Sequence, residues 1–429
     1  MKAYAEYKPS GVEWLGDVPS HWKAVKFGQI FTENKIKNKG MIENNLLSLS
    51  YGNIIEKNIE NAKGLVPENF ETYQIVNPND IIFRFTDLQN DKRSLRSAIS
   101  KFRGIITSAY ISVKLKKDGN ADFFNYLFRA YDLMKVFYSM GDGMRQSLKM
   151  EELNRLVLFI PSETEQQKIV DYLDRQTARI DTLIAEQNRL IELLAEQRKA
   201  VISHAVTSGI NPNATMKKSG VEWLGDVPSH WEIKRLKYVS NINLQTLPEN
   251  TDKNAVIQYV DIGSVSLEKG IEKVEKFIFG EAPSRARRMA KTGDIVVSTV
   301  RTYLKAIATV TDEFKDCIFS TGFAVVSSKG NINSRYLTNC LKSDSFTNQV
   351  TFYSKGLSYP AINSSDLSNL YIAIPPLSEQ NEIVAYIEKQ TAQIDALIAE
   401  QNRLIDRLTQ YRASLISAAV TGKIDVQAA

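Results

Sequence analysis

The stretch "EQQKIVDYLDRQTARIDTLIAEQNRLI" at residues 165–191 returns as "EQNEIVAYIEKQTAQIDALIAEQNRLI" at residues 379–405, with 19 of 27 positions identical. A second repeat precedes each copy, because "SGVEWLGDVPSHW" stands without a change at residues 10–22 and again at residues 219–231. Two matched segments in the same order indicate that the chain consists of two copies of one unit. The fold must therefore accommodate a tandem duplication.

The repeated segments at 165–191 and 379–405 each predict a long helix. No Pro or Gly occurs between Pro161 and Gly209, and Ser162 and Glu165 have the spacing of a capping box. Apolar residues recur at alternating steps of four and three, which is the period of a coiled-coil seam. A helix of about 45 residues at ~1.5 Å per residue would be a rod of roughly 65–70 Å.

The predicted seam includes glutamines as well as apolar residues. A polar seam residue fixes register or partner choice at a cost in stability, although a glutamine at the edge of the seam would have no such role. The predicted seam residues are Ile169, Leu173, Gln176, Ile180, Leu183, Gln187, Leu190 and Leu194 in the first copy, and Ile383, Ile387, Gln390, Ile394, Leu397, Gln401, Leu404 and Leu408 in the second.

Between each motif and its helix, the two halves are almost unrelated in sequence. Short β-rich runs such as "DIVVSTV" alternate with turn residues, and the run at 123–140 is typical of helix. Two weak matches remain: "NDIIF" (79–83) with "GDIVV" (293–297), and "GIITSAYISV" (104–113) with "CIFSTGFAVV" (317–326). The blocks are therefore predicted to share a framework while presenting different surfaces.

The duplication predicts an α+β fold, a tandem pseudo-twofold repeat in which two α/β modules are joined by two long coiled-coil helices, and a twofold axis between the halves would make these helices antiparallel. Antiparallel helices would place the motif at 10–22 where the second helix ends, so that the two ends of the chain meet. The predicted segments are 1–22 (first motif), 23–159 (first module), 160–209 (first long helix), 210–231 (linker and second motif), 232–373 (second module) and 374–429 (second long helix).

Composition and charge narrow the class of protein. With 43% hydrophobic and 24% charged residues among 429, the chain resembles soluble globular proteins. No apolar run approaches the ~18 residues of a membrane span, and the N-terminal sequence lacks the apolar stretch of a secretory signal, so we expect a cytoplasmic protein. The first module carries a net charge of +6 and the second +4, counting Lys, Arg, Asp and Glu. Such an excess can serve solubility alone, but its presence in both modules favours a bound polyanion.

Groups for catalysis are scarce in the sequence. There is no G-x-x-x-x-G-K-[ST] phosphate loop, and the three histidines form no H-x-x-x-H pair. The triplets "ENK" (33–35) and "EFK" (313–315) match part of a nuclease signature without its Pro-Asp partner, and Cys317 and Cys340 fit structural thiols. We therefore predict no catalytic, cofactor-binding or metal-binding residue in this chain.

Residues suited to nucleic-acid contact lie in both modules. Arg and Lys neutralise phosphates, and Arg, Gln and Asn can read base edges in the major groove, although any single one can be solvated surface charge. The candidates are Arg84, Gln89, Asn90, Arg93, Arg96, Lys101, Arg103, Arg145, Gln146 and Lys149 in the first module, and Arg285, Arg287, Arg288, Arg301, Tyr303, Lys305, Lys355 and Tyr359 in the second.

The motif "GxVPxHW", the "IP…EQ" helix starts, the near-identical helices and the unrelated modules together resemble the specificity (S) subunit of a Type I restriction–modification enzyme. The resemblance covers almost the whole chain. It implies that the modules are target-recognition domains, each reading one half of a split, asymmetric site in double-stranded DNA. It also implies that the helices set the gap between the half-sites and dock the methylation subunits.

The same resemblance implies a division of labour among subunits. Two copies of the methylation (M) subunit would bind S-adenosylmethionine and methylate adenine, and restriction (R) subunits using ATP and magnesium would join for cleavage. This chain would bind none of these cofactors. Because the motif is identical in its two copies, its tryptophans are predicted to bind the two partner copies: Trp14, Trp22, Trp223 and Trp231.

Two other classes compete with this interpretation. A coiled-coil scaffold would keep the helices but would not need two divergent basic modules, and salt-dependent DNA binding would separate the two. A nuclease or methyltransferase would need a metal or cofactor site, which would show as activity of the purified chain alone.

Overall fold

The computed structural model describes residues 2–58, 69–86, 88, 95–117, 119–140 and 147–427. The chain divides into two compact units, the first comprising residues 1–187 and 402–429 and the second residues 188–401. Each unit contains one copy of the repeated motif and one module. No described helix is long and apolar enough to cross a membrane.

The first unit consists of short strands, three helices and parts of both long helices. Its strands are β1 (Tyr7–Pro9), β2 (Asp17–Pro19), β3 (Lys23–Lys26), β4 (Phe31–Glu33), β5 (Leu46–Ser50), β6 (Asn53–Lys57), β7 (Gln74–Val76), β8 (Ile81–Phe83), β9 (Ser97–Ile99), β10 (Gly104–Ile106), β11 (Ile111–Leu115) and β12 (Val157–Ile160). Its helices are α1 (Phe27–Ile30), α2 (Ala121–Leu133) and α3 (Met150–Arg155), followed by α4 (Glu163–Thr207), which continues into the second unit.

The second unit has corresponding elements and, among the described residues, two further strands and one further helix. Its strands are β13 (Met216–Lys218), β14 (Asp226–Pro228), β15 (Glu232–Arg235), β16 (Ser240–Ile242), β17 (Val256–Val260), β18 (Val265–Ser266), β19 (Gly270–Ile271), β20 (Glu275–Ile278), β21 (Ala286–Met289), β22 (Ile295–Ser298), β23 (Ile307–Thr309), β24 (Ile318–Ser320), β25 (Phe323–Ser328) and β26 (Tyr371–Ile374). Its helices are α5 (Leu236–Val239), α6 (Ser334–Lys342), α7 (Asp344–Tyr353), α8 (Ser364–Ser368) and α9 (Leu377–Val420), whose end belongs to the first unit.

The modules share one sheet topology despite their unrelated sequences. In the first module the strand orders are β6-β5-β10-β7 and β4-β11-β8-β9, and in the second they are β20-β17-β24-β21 and β16-β25-β22-β23. Even the parallel pair recurs, as β5 with β10 and as β17 with β24. The weak sequence matches fall on equivalent strands, so the predicted common framework is confirmed.

A short antiparallel pair joins the two ends of each module. In the first module β3 pairs with β12 from Lys23↔Ile160 to Lys26↔Val157, and in the second β15 pairs with β26 from Glu232↔Ile374 to Arg235↔Tyr371. Since each pair directly precedes a long helix, it fixes where that helix leaves the module.

The two predicted long helices are present, with 45 residues in α4 and 44 in α9. In the first unit, Ile169 and Leu173 near the start of α4 share a core with Leu415 and Val420 near the end of α9. Such packing of a start beside an end requires antiparallel helices. The predicted α+β tandem repeat with long antiparallel helices is therefore confirmed.

Equivalent ion pairs lie along the helices in the two units. In the first unit Arg412 Nε lies 3.0 Å from Asp181 Oδ1, and in the second Arg198 Nε lies 2.9 Å from Asp395 Oδ1. Each arginine and each aspartate occupies the same place in its copy of the repeat. The helix register therefore follows the internal symmetry.

The predicted seam is correct at the helix starts and wrong in the middle. Ile169, Leu173 and Ile180 are buried, as are Ile383, Ile387, Ile394 and Leu194, while Leu408 and the four glutamines are partly buried. Leu183, Leu190, Leu397 and Leu404 are instead 36–46% exposed. Their neighbours on the partly buried face are Ile184, Ile191, Ile398 and Ile405.

The correction has a geometric cause. A helix with 3.6 residues per turn drifts relative to a strict 3.5-residue repeat. Here the buried face takes two successive steps of four, from Gln176 through Ile180 to Ile184, and then resumes the heptad spacing. After Ile180 the face therefore keeps Gln187 and Leu194, but the position between each pair moves by one residue, from Leu183 to Ile184 and from Leu190 to Ile191.

Candidate nucleic-acid interface and its framework

The first copy of the repeated motif is fastened to the start of α4 through one carboxylate. Glu165 Oε1 accepts hydrogen bonds from Trp22 Nε1 at 3.2 Å and from Tyr4 Oη at 2.7 Å, while its Oε2 lies 2.9 Å from His21 Nε2. Burial and the hydrogen bond to Glu165 raise the pKa of Tyr4 far above its ordinary value. The capping box is thus only half formed, since the Ser162 hydroxyl accepts from the Glu165 N–H at 3.4 Å but the carboxylate binds the motif.

The second copy makes the same attachment. Glu379 Oε1 accepts from Trp231 Nε1 at 3.1 Å, and Glu379 Oε2 lies 2.7 Å from His230 Nε2. Trp22 and Trp231 are 1% and 0% exposed. Their predicted role in binding a partner is therefore wrong, because each indole is enclosed within its own unit and donates to a helix of that unit.

The other face of each motif packs on the end of the opposite long helix. Gly422 follows α9 at φ +73°, and a Cβ there would lie 3.3 Å from Trp22 and closer still to Pro19. Gly209 follows α4 at φ +77°, and a Cβ there would lie 3.3 Å from Trp231. Only glycine combines this backbone conformation with so close an approach. Each motif is therefore held between the start of one long helix and the end of the other.

The two ends of the chain meet in the first unit, as predicted. The Asp425 N–H donates to the Lys2 carbonyl at 2.8 Å, and Lys423 Nζ donates to the Leu15 carbonyl at 2.7 Å. The position of the motif at 10–22 beside the end of α9 is thereby confirmed.

The other two tryptophans of the motif, Trp14 and Trp223, pack against aromatic residues of the modules. Trp14 is 36% exposed and packs edge-to-face on Tyr131 at 4.9 Å between ring centroids. Trp223 is partly buried and lies 4.9 Å from Phe352. Both keep surface that a partner could contact, so their predicted role stays a prediction.

In the second module, two loops bring together most of the candidate residues. The connection from β22 to β23 contains Arg301, Tyr303 and Lys305, and the connection from α7 to α8 contains Lys355 and Tyr359. The guanidinium of Arg301 lies over the Tyr359 ring, 5.4 Å from its centroid. All five side chains are exposed except Lys305, which is partly buried with its Nζ 3.8 Å from Asp344 Oδ1.

Three other candidates of this module lie on or beside β21. Arg285 is exposed. Arg287 is partly buried over the Phe279 ring at 4.8 Å, and Arg288 is partly buried with Nη1 3.5 Å from the Thr246 hydroxyl. Arg287 and Arg288 therefore also have contacts within the protein, whereas the two-loop cluster faces outward.

Half of the first module's candidates cannot be placed, because Gln89, Asn90, Arg93, Arg145 and Gln146 lie outside the described residues.

The placed candidates of this module differ in exposure. Lys101, Arg103 and Lys149 are exposed and Arg84 is partly buried. Arg103 Nε lies 3.0 Å from Glu43 Oε2; hydrogen bonds from the Asn45 backbone and from Arg103 lower the pKa of Glu43. The exposed members remain candidates for phosphate contact.

The structure corrects the prediction that Arg96 contacts DNA. Its side chain is fully buried, with Nη1 donating to the Thr86 carbonyl at 3.2 Å and Nε 3.5 Å from Tyr138 Oη. A buried guanidinium cannot reach a phosphate or a base edge, so its predicted DNA contact is wrong. The sequence signal was a cluster of basic residues, and such a pattern does not separate an inward-facing arginine from its neighbours.

Sequence reasoning missed chiefly the residues that hold each motif and loop in place. Glu165 and Glu379 carry the signal of an identical position in both copies, but nothing in the sequence links them to a motif 140 residues away. Thr302 was also missed: it is buried, and its hydroxyl oxygen lies 2.8 Å from that of Ser354.

Among the described residues, no group of three or more His, Cys, Asp or Glu side chains could hold a metal ion. Cys317 and Cys340 are both buried, and burial raises the pKa of Cys340 to about 12. A thiol with that pKa stays protonated and unreactive at neutral pH, which fits a packing role.

The structure defines a class of protein with a duplicated α+β framework, in which two modules share one strand order but differ in sequence. The family model for the Type I restriction modification DNA specificity domain matches residues 19–193 and again residues 228–407. The chain belongs to this family and is a specificity subunit of a Type I restriction–modification system.

Curated relatives and solved structures agree over nearly the full length. The EcoDI specificity subunit of Escherichia coli is 21% identical, covering 96% of this chain and 90% of the relative, and the MjaVIII specificity subunit of Methanocaldococcus jannaschii is 24% identical, covering 96% and 94%. A chain from work on complex assembly and conformational transition of the type I R-M system has a TM-score of 0.65 at 16% identity, covering 95% of this chain and 99% of that one. The HsdS subunit from Thermoanaerobacter tengcongensis has a TM-score of 0.52 at 16% identity, covering 95% and 98%. These structures show that the fold is shared.

Proposed function

We propose that each module binds one half of a split, asymmetric site in double-stranded DNA, residues 23–159 reading one half and residues 232–373 the other. The observation that carries the proposal is the pair of modules with one strand order and different surface residues. A common framework presents equivalent loops to DNA, and different side chains on those loops select different bases. Two such modules related by a twofold axis match the dyad of duplex DNA.

The charge distribution supports DNA as the ligand. In the second module, the two loops with Arg301, Lys305 and Lys355 carry basic side chains next to the exposed rings of Tyr303 and Tyr359. Basic groups neutralise phosphates and aromatic rings contact bases or sugars, so this composition suits a nucleic-acid surface. Binding should weaken as salt rises, because displaced counterions drive such association.

We also propose that α4 and α9 set the gap between the half-sites and dock two methylation subunits. The exposed leucines Leu183, Leu190, Leu397 and Leu404 support this role, since apolar side chains left open on a helix are suited to a partner helix. Trp14 and Trp223, at equivalent positions of the repeated motif, would offer the methylation subunits a second contact.

In the assembled enzyme, the partner subunits carry the chemistry. Methylation subunits bind S-adenosylmethionine, restriction subunits use ATP and magnesium, and this chain acts in the cytoplasm without binding a cofactor or catalysing a step. The purified chain alone should neither methylate nor cut DNA.

The test is to sequence methylated adenines in DNA treated with the chain together with its methylation subunits. We expect two short, unrelated half-sites separated by a gap of unread bases, and no methylation by either component alone. A single continuous site, or methylation by the chain alone, would contradict the proposal.

A further inference from the structure

The two exposed loops of the second module are locked to each other by backbone and hydroxyl contacts. The Thr302 N–H donates to the Pro360 carbonyl at 3.3 Å, and the Ile362 N–H donates to the Thr299 carbonyl at 2.8 Å. Ala361 forms isolated bridges with both Val300 and Lys355. The loops therefore form one platform, which we define as residues 299–306 with 354–362.

The platform holds two non-glycine residues in the left-handed backbone region. Arg301 has φ +52° and Lys305 has φ +47°, so they stand on either side of the turn Thr302–Leu304. Such conformations are unfavourable for residues with a Cβ and persist where neighbouring contacts enforce them, often at functional sites. Here the loop at 354–362 supplies those contacts, and the result is a fixed direction for the Arg301 side chain.

Arg301 differs from most other arginines of residues 232–373, all of which the structure describes. Arg235 donates to the Tyr371 hydroxyl at 3.1 Å, and Arg335 pairs with Glu388 at 2.9 Å. Arg287 donates to the Ala286 carbonyl at 3.0 Å, and Arg288 Nη1 lies 3.5 Å from the Thr246 hydroxyl. Among the described residues, the guanidinium of Arg301 has no hydrogen-bond acceptor; it is exposed, yet the Tyr359 ring lies against it. Its donors are thus free while its plane is restrained.

We propose that Arg301 is the residue of this module that reads a guanine in the major groove, and that Tyr359 is the positioning residue that orients it. This rests on the proposed function, in which the second module binds one DNA half-site. A guanidinium fork donates to guanine O6 and N7 together, and no other base offers this pair of acceptors in the major groove. Stacking on Tyr359 restricts the side chain before binding, which lowers the entropic cost of forming two hydrogen bonds.

Neighbouring side chains fit the same contact. Lys355 is exposed on the platform and can meet a phosphate beside the guanine, which would fix the register of the loop on the duplex. Leu357 is fully exposed between Lys355 and Tyr359 and offers an apolar group to the same groove.

The experiment uses the full complex with its methylation subunits and compares methylation rates on duplexes that differ at one base pair. Arg301→Lys keeps the charge but loses the fork, so discrimination for guanine at one position of one half-site should fall by roughly 5- to 100-fold. Tyr359→Leu should relax the same position, whereas Tyr359→Phe keeps the ring and should preserve discrimination. A merely structural tyrosine would not produce loss at that one position with rescue by phenylalanine.

A base analogue tests the contact directly. Replacing the guanine by 7-deazaguanine removes N7, so it should slow the wild-type complex more than the Arg301→Lys complex, in which the fork is already lost. Inosine at the same place lacks the minor-groove amino group and its hydrogen bond to cytosine but keeps O6 and N7, so it should not reproduce the effect of 7-deazaguanine in either complex. Arg335→Lys, an exposed arginine paired with Glu388 away from the platform, serves as the matched control and should keep full discrimination.

The outcomes separate this inference from the proposed function. If Arg301→Lys slows all sequences alike, or if 7-deazaguanine has no effect at any guanine of that half-site, Arg301 does not read guanine, although half-site recognition can still hold. If the wild-type complex shows no split site at all, the proposed function itself fails.

Discussion

Lengthening both long helices together should widen the gap between the two DNA half-sites. The insertion consists of four helix-forming residues after Ala185 in α4 and four more after Ala399, the equivalent position in α9. The first lies between Asp181 and Arg198 and the second between Asp395 and Arg412, so both ion pairs remain within their own units. A single insertion would shift the two antiparallel helices out of register.

The expected magnitude follows from helix geometry. Four residues lengthen each helix by ~6 Å and turn it through about 400°, which leaves the partly buried face within roughly 40° of its original direction. Since DNA rises by about 3.4 Å per base pair, the gap should grow by one or two base pairs. Two-residue insertions instead rotate the residues beyond each insertion by about 200° relative to those before it, turn Ile191 and Ile405 away from their packed face, and should damage assembly.

The assay is sequencing of methylated adenines in cells that carry the mutant with its methylation subunits. Both half-sites should be unchanged while the unread gap is longer, and thermal unfolding of the four-residue mutant should resemble that of the parent. An active double-insertion mutant that keeps the original gap would show that the helices do not set the spacing.

Further expected outcomes concern the framework. Glu165→Leu should lower the free energy of unfolding of the first unit by about 2–5 kcal/mol, because two buried donors lose their acceptor. Glu379→Leu should lower that of the second unit by only about 1–3 kcal/mol, because only one such donor is affected. Calorimetry measures both losses, and equal losses would contradict this reasoning. Arg96→Ala should destabilise the chain by about 2–4 kcal/mol without changing which bases are read, since the buried guanidinium bonds to protein carbonyl and hydroxyl groups; a changed methylation sequence in a stably folded mutant would refute the correction. Ile191→Asn should lower the melting temperature of the free chain, whereas Leu190→Asn, its exposed neighbour, should not; denaturation curves that rank them in the opposite order would disprove the shifted seam.

The sequence predicted the fold because the duplication fixes most of it. Identical motifs and near-identical helices gave two units, and the weak match of "NDIIF" with "GDIVV" marked β8 and β22 as equivalent strands. The phase of the helix seam was missed after Ile180, since leucine and isoleucine alternate there and both phases have apolar residues. Packing against a particular neighbour decides between them, and that neighbour comes from over 200 residues away.

The site was less predictable for a related reason. Runs of basic residues selected Arg301 and Lys355, which are exposed and stay candidates, but the same rule selected Arg96, which points into the core. The rule that tryptophans in a repeated motif face a partner failed for Trp22 and Trp231, whose indoles donate to Glu165 and Glu379. In each case, a long-range polar contact decided the direction of the side chain, and local patterns do not encode such contacts.

Exchange of one module tests the central claim most directly. Residues 27–156 would be replaced by the equivalent residues of another family member, joined after β3 and before β12 so that the strand pair and α4 are retained. Methylated adenines would then be sequenced from cells with the hybrid and its methylation subunits. If each module reads its own half-site, one half of the methylated sequence changes to that of the donor and the other half stays. A hybrid that changes both halves, or that methylates the original sequence, would contradict the account.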